Sequence, residues 1–148
     1  MQQVRWIGLV ILALLSWNGV AKEQALAVND AFIRAPIPGM KNTSAYMSLN
    51  NGSDKPVVLV AAESSYAKRI EFHDHIMANG VMQMTQVDQI TIAPKQSVTF
   101  QSGGLHLMLF ELSKQAEEPI WIRFITSDGQ QVNAKFNVRS VHHEHHHH

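Results

Sequence analysis

A chain of 148 residues with 45% hydrophobic side chains is the size of one ordinary domain and can bury a single core. Its 12 basic residues balance its 12 acidic ones, so no broad field draws it to nucleic acid or to an anionic membrane surface. It has no cysteine, which excludes disulfide staples, thiolate metal sites, cysteine nucleophiles and the blue-copper electron-transfer site, whose metal needs a Cys sulfur.

Residues 1–21 read as a signal peptide. A short leading region carries Arg5, an apolar stretch runs from Trp6 to Trp17, and the small residues Gly19 and Ala21 are spaced like a signal-peptidase site. The apolar stretch falls short of the roughly 20 residues that span a bilayer, and the polar Lys22-Glu23-Gln24 follows at once. The expectation is a periplasmic protein with no stable membrane insertion after the signal is removed. A second candidate cut, after Ala27, would take away the start of the first strand.

One domain is expected over residues 22–140. Apolar runs of strand length follow one another, broken by turn residues, and none repeats with helical spacing. The pattern predicts strands at Leu26 to Ile33, Ala45 to Leu49, Pro56 to Ala62, Arg69 to His75, Val81 to Val87, Ser97 to Gln101, Leu105 to Leu112, Ile120 to Thr126 and Gln131 to Val138. Turn chemistry marks several of the breaks: Pro36-Ile37-Pro38-Gly39, Asn50-Asn51-Gly52, Asn79-Gly80, Ser102-Gly103-Gly104 and Ser127-Asp128-Gly129. The fold class is therefore all-β, with about eight or nine antiparallel strands in a two-sheet sandwich or a Greek-key barrel. Phe100 and Trp121 are expected in the core, and Tyr46 either packs or caps a site.

Residues 141–148 form a His-rich tail, expected to be disordered without metal. His142, His143, His145, His146, His147 and His148 can bind Cu(II), Zn(II) or Ni(II) through neutral imidazoles. An affinity tag is one reading of this tail. The Glu144 interruption and the export signal favour a native one.

Outside the tail the only histidines are His73, His75 and His106, and each lies near methionines: Met77, Met82, Met84 and Met108. In His106-Leu107-Met108 the imidazole and thioether share one face of a strand, and Leu105, Leu107 and Leu109 take the other. The segment from Glu71 to Met84 reads as a hairpin with two registers open. A two-residue loop at Asn79-Gly80 pairs His75 with Met84 and Met77 with Met82. A four-residue loop, Met77 to Gly80, pairs His73 with Met84 and His75 with Met82. Either way imidazoles meet thioethers, a soft, neutral donor set that favours Cu(I) over the harder ions. Asp74 and Glu71 are candidates to orient an imidazole, with solvation the favoured reading for Glu71.

The spacing His73, ten residues, Met84, twenty-one residues, His106, one residue, Met108 resembles the H-x10-M-x21-H-x-M pattern of the PCuAC-type periplasmic copper chaperones. Gly80-Val81-Met82-Gln83-Met84, Gly103-Gly104-Leu105-His106-Leu107-Met108-Leu109, Asp30-Ala31-Phe32-Ile33-Arg34-Ala35-Pro36 and Ser44-Ala45-Tyr46-Met47 are also similar to that family. The resemblance implies a cupredoxin-like sandwich or barrel, a copper site of His73, Met84, His106 and Met108, and the longer of the two hairpin loops. It also implies delivery of Cu(I) to the CuA centre in subunit II of cytochrome c oxidase, beside Sco-type thiol proteins. His75 departs from the family pattern and adds, with Met82, a further candidate ligand. The tail adds possible Cu(II) ligands.

No catalysis is expected. A histidine-brace oxygenase needs a histidine at the mature N-terminus, and neither candidate cut leaves one. Copper sequestration for tolerance is the neighbouring alternative, and a metal-free sandwich for adhesion or complex assembly is a third.

Overall fold

The computed structural model describes residues 25–113 and 118–140; the expected signal peptide and the His-rich tail lie outside the described residues. The described residues form ten strands and no helix: β1 Leu26–Arg34, β2 Asn42–Asn51, β3 Val57–Glu63, β4 Ala67–Ala78, β5 Val81–Val87, β6 Ile90–Ile92, β7 Ser97–Phe100, β8 His106–Leu112, β9 Ile120–Thr126 and β10 Gln131–Arg139. All nine expected strands are present. The addition is β6, whose three residues are too few for alternation to register as a pattern.

The strands hydrogen-bond in the order β5-β4-β8-β2-β1-β10-β9-β3-β6, with β7 also paired to β2. The sheet is not closed, so the sandwich form of the expected fold holds and the barrel form does not. Its two halves meet where β1 pairs in parallel with β10, Phe32 to Arg34 against Asn137 to Arg139. This pairing departs from the expected all-antiparallel arrangement. Parallel neighbours need a long connection between them, and here the rest of the domain supplies it. A register shift between Asn29 and Phe32, with Asp30 at φ 51°, bends β1 at the junction.

Alternation along each strand builds the core. Leu107 and Leu109 of β8, Phe72 of β4, Leu49 of β2 and Phe100 of β7 join Leu59 of β3, Ile122 and Phe124 of β9 and Phe136 of β10 in one hydrophobic cluster. Truncating a buried Phe of this kind costs about 3–5 kcal/mol. Trp121 is not part of it and is 56% exposed, contrary to expectation. Ile120, Ile122 and Phe124 take the inward positions of β9, and the two-residue period leaves Trp121 outside.

The same period decides where the chemistry sits. With Phe72, Leu107 and Leu109 turned inward, His73 and His75 of β4 and His106 and Met108 of β8 share the outer face near the β5 edge. Shifting either strand by one residue would bring the imidazoles into the core, so the apolar rows hold the site in place.

Asn51, at the end of β2, is fully buried. Its side-chain amide donates to the carbonyls of Lys55, Ile92 and Ala93 at 2.7, 3.0 and 3.2 Å, and its carbonyl accepts from the Ser53 backbone N–H at 3.0 Å and its hydroxyl at 2.7 Å. The residue ties three chain segments together with every polar atom satisfied. Asn51→Ala should lower the unfolding free energy by roughly 3 kcal/mol, since it strands buried acceptors and leaves a void. Urea denaturation checks this, and an unchanged midpoint would show the network to be dispensable.

Candidate metal centre

The β4–β5 hairpin turns through Asn79 and Gly80, both in the left-handed region at φ 52° and 75°. A two-residue turn of this form matches the strand twist. The register is therefore the shorter-loop one: His75 opposite Met84, Met77 opposite Met82 and His73 opposite Gln86. The four-residue loop is not formed, because Met77 and Ala78 continue the ladder instead of leaving it.

His73 and Met84 nevertheless share a face, and their common neighbour lies across the other edge of β4. There His73 is directly opposite His106 of β8, with ring centroids 5.8 Å apart. Met84 reaches over β4 from β5 and sets its Sδ 3.2 Å from His106 Nε2. Met108 follows two residues along β8 on the same face, half-buried, with Glu71 and Ser44 as its cross-strand partners. The His75 ring lies 5.2 Å from that of His106. Met82 is 56% exposed and Met84 52%, so neither fills the core.

Each of the two opposed imidazoles has one nitrogen committed to an acceptor. His106 is 4% exposed, and its Nδ1 lies 2.9 Å from the Gly104 carbonyl, which can only accept; Nδ1 therefore carries the proton. Nε2 is left with a lone pair, directed at a thioether that also has no proton. Gly104 is positioned by the turn in which Gly103 takes φ 82° and the Gln101 N–H donates to the Leu105 carbonyl at 2.8 Å.

His73 repeats the arrangement with a carboxylate. Its Nε2 donates to Glu71 Oε2 at 2.8 Å, while its Nδ1 is buried with no hydrogen-bond partner. Glu71 is held in turn by Arg69 Nε at 2.7 Å, and the Arg69 guanidinium stacks over the Phe110 ring at 4.4 Å. The Glu71 side chain is only 17% exposed, so it is not the solvated charge expected from the sequence. The available signal was its position two residues before His73, on the same strand face. Asp74 points elsewhere and accepts from the backbone N–H of His75 at 2.8 Å.

An unpartnered buried nitrogen is costly unless something completes it. The donor types present here, two neighbouring imidazoles with thioether sulfur, fit a soft monovalent cation. No group of three or more His, Cys, Asp or Glu side chains among the described residues is arranged to hold a metal ion.

Burial holds the pKa of His106 below its ordinary value, helped by the neighbouring His75 and His73 and opposed by the bond to Gly104 and by Asp74. As pH falls, the unfolded chain takes up this proton near 6.5, while the folded chain resists until lower pH. The contribution is thus fully present above about 6.5 and is lost as pH falls through the folded value. The metal-free protein should lose stability as pH falls below about 6.5, and His106→Gln should flatten that dependence. Urea midpoints across the range check this, and equal slopes in the two proteins would refute it.

The model of the LpqE-like family matches residues 26–138. The uncharacterized protein RP573 of Rickettsia prowazekii is 32% identical over 101 residues, covering 65% of this chain and 56% of its own length. The chain thus spans little more than half of that relative. Among solved structures, the solution structure of CuI-DR1885 from Deinococcus radiodurans is 32% identical, with a TM-score of 0.63 over 80% of this chain and 83% of that one. The copper-bound PCuAC domain from PmoF2 has a TM-score of 0.66 at 22% identity, covering 79% of this chain and 94% of that domain, a likeness of fold. With the family model and these structural likenesses in agreement, the chain belongs to the LpqE-like, PCuAC-related family and has the cupredoxin-like fold of the PCuAC copper-chaperone domains.

Proposed function

We propose that this protein is an exported copper chaperone that holds one Cu(I) ion through His73, Met84, His106 and Met108. The observation that carries the reading is the pair of opposed imidazoles, each with one nitrogen fixed by an acceptor and the other left without a proton donor, beside the Met84 thioether. A copper-bound PCuAC domain and the Cu(I) form of DR1885 among its structural relatives support copper as the cargo.

The chain's own residues set the ion's environment. Glu71 and the Gly104 carbonyl hold the two rings in orientation, so little side-chain entropy is lost on binding. Thioethers need no deprotonation, and the depressed pKa of His106 keeps its imidazole available on the acid side of neutrality. Copper here is cargo, and the protein's work is binding and release without covalent catalysis.

The destination we propose is the CuA centre in subunit II of cytochrome c oxidase, with a Sco-type thiol protein acting alongside. Hand-over suits a site with one accessible donor: Met84 is 52% exposed and can exchange for an acceptor's ligand while His106 stays buried. Permanent sequestration would favour a closed site. The periplasm is the compartment we propose, on the signal-peptide reading of residues 1–21, and the family match supports export. The tail histidines, His142 to His148, would gather Cu(II) separately.

Competition titration with a Cu(I) chelator should find one tight equivalent in the native chain. His106→Ala should abolish it, Met108→Ala should weaken it by less, and Glu71→Ala should weaken it by roughly tenfold through loss of ring orientation. Unchanged affinity in all three would overturn the site. For delivery, the Cu(I)-loaded chain, with a second Cu(I) equivalent, is mixed with the apo CuA domain whose cysteines have been reduced beforehand; one-electron oxidation of the product with ferricyanide should then yield the mixed-valence CuA absorption bands. No transfer, with binding intact, would leave a carrier with a different acceptor.

A further inference from the structure

The tip of the β4–β5 hairpin carries soft donors that the buried site does not use. Met77 and Met82 are direct cross-strand partners, one step beyond the His75–Met84 pair. Both lie on the face that carries His73 and His106, and they are 65% and 56% exposed. Ile76 and Val81 beside them are 43% and 60% exposed. The exposure means that core packing does not account for thioethers at these two positions.

Same-face rows on a strand are about 7 Å apart, two residues at about 3.3 Å each. A methionine side chain has three rotatable bonds and can span much of that distance. From the tip inward the rows run Met77 with Met82, then His75 with Met84, then His73 with its β8 neighbour His106. Met84 already touches His106 Nε2 at 3.2 Å, so one thioether adjoins both the exposed rows and the buried imidazole.

We propose that Met77, Met82 and His75 form a second, solvent-facing Cu(I) position at the hairpin tip, through which the ion passes by way of Met84 to and from His106. This rests on the copper reading of the buried site. Each step makes one metal–donor bond and breaks another, and copper stays Cu(I) throughout, so no electron or proton is transferred. The tip position binds more weakly than the buried one, since its donors are mobile and in water, and that difference drives inward loading. An acceptor offering softer or more numerous ligands reverses the flow from the same tip.

The test uses the full chain with methyl-labelled methionines, titrated anaerobically with Cu(I) and followed by NMR, beside the double variant Met77→Leu, Met82→Leu. Leucine is close to methionine in volume and the positions are exposed, so the fold is retained. The first equivalent should shift the Met84 and Met108 methyls, and the second should shift Met77 and Met82. Removal of the first equivalent by excess chelator should be several-fold slower in the double variant, with its affinity unchanged. If the Met84 and Met108 methyls respond while Met77 and Met82 stay silent, or if the variant releases copper at the native rate, the relay is overturned and the buried site stands. If the Met84 and Met108 methyls do not respond, the buried site falls and the relay with it.

Discussion

The pairing of β4 with β8 in the register that sets His73 opposite His106 is the constraint on which the rest of the site depends. It is held from the other side of the sheet. Phe72, Leu107 and Leu109 are buried at the intervening positions, so a slip of one residue would expose them and bury two imidazoles and a carboxylate. The apolar core and the polar site are thus two faces of one register, and neither can shift without the other.

Around that register the chain supplies fixed acceptors. The Gly104 carbonyl belongs to a turn outside the ladder, whereas Glu71 belongs to β4 itself and is braced by Arg69 over Phe110. Backbone and side chain reach the same result by different means: each holds one ring nitrogen protonated and leaves the other with a free lone pair. The thioethers differ in restraint: Met84 comes from an edge strand and is half exposed, whereas Met108 is partly buried on β8 between Glu71 of β4 and Ser44 of β2. Rigid nitrogen donors with adaptable sulfur donors suit an ion that must be held and then surrendered.

Much of this was legible in the residues. Alternation and turn chemistry located nine of the ten strands, and His106-Leu107-Met108 announced its shared face because a strand has a period of two. Among the expectations that failed, two did so for instructive reasons. The longer hairpin loop followed from the family resemblance, which pairs His73 with Met84, but the two need no direct opposition, since Met84 reaches over β4 to His106, which stands opposite His73 on a third strand. Glu71 was read as solvated because a lone carboxylate on a strand usually is, and the ring and guanidinium that enclose it lie on the same strand face.

By itself the sequence determined the strand content, the inward and outward faces and the donor types, because these follow from local periodicity and side-chain chemistry. It offered Asn79-Gly80 as a two-residue turn but left a four-residue loop equally open, and the strand pairing chose the shorter. Only the tertiary structure decided which strands are neighbours. The order β5-β4-β8 brings residues more than thirty positions apart into one site, and parallel pairing of β1 with β10 joins the first and last of the described strands. Those choices depend on how the apolar faces of all the strands pack together, a property of the whole core that no local run of residues contains.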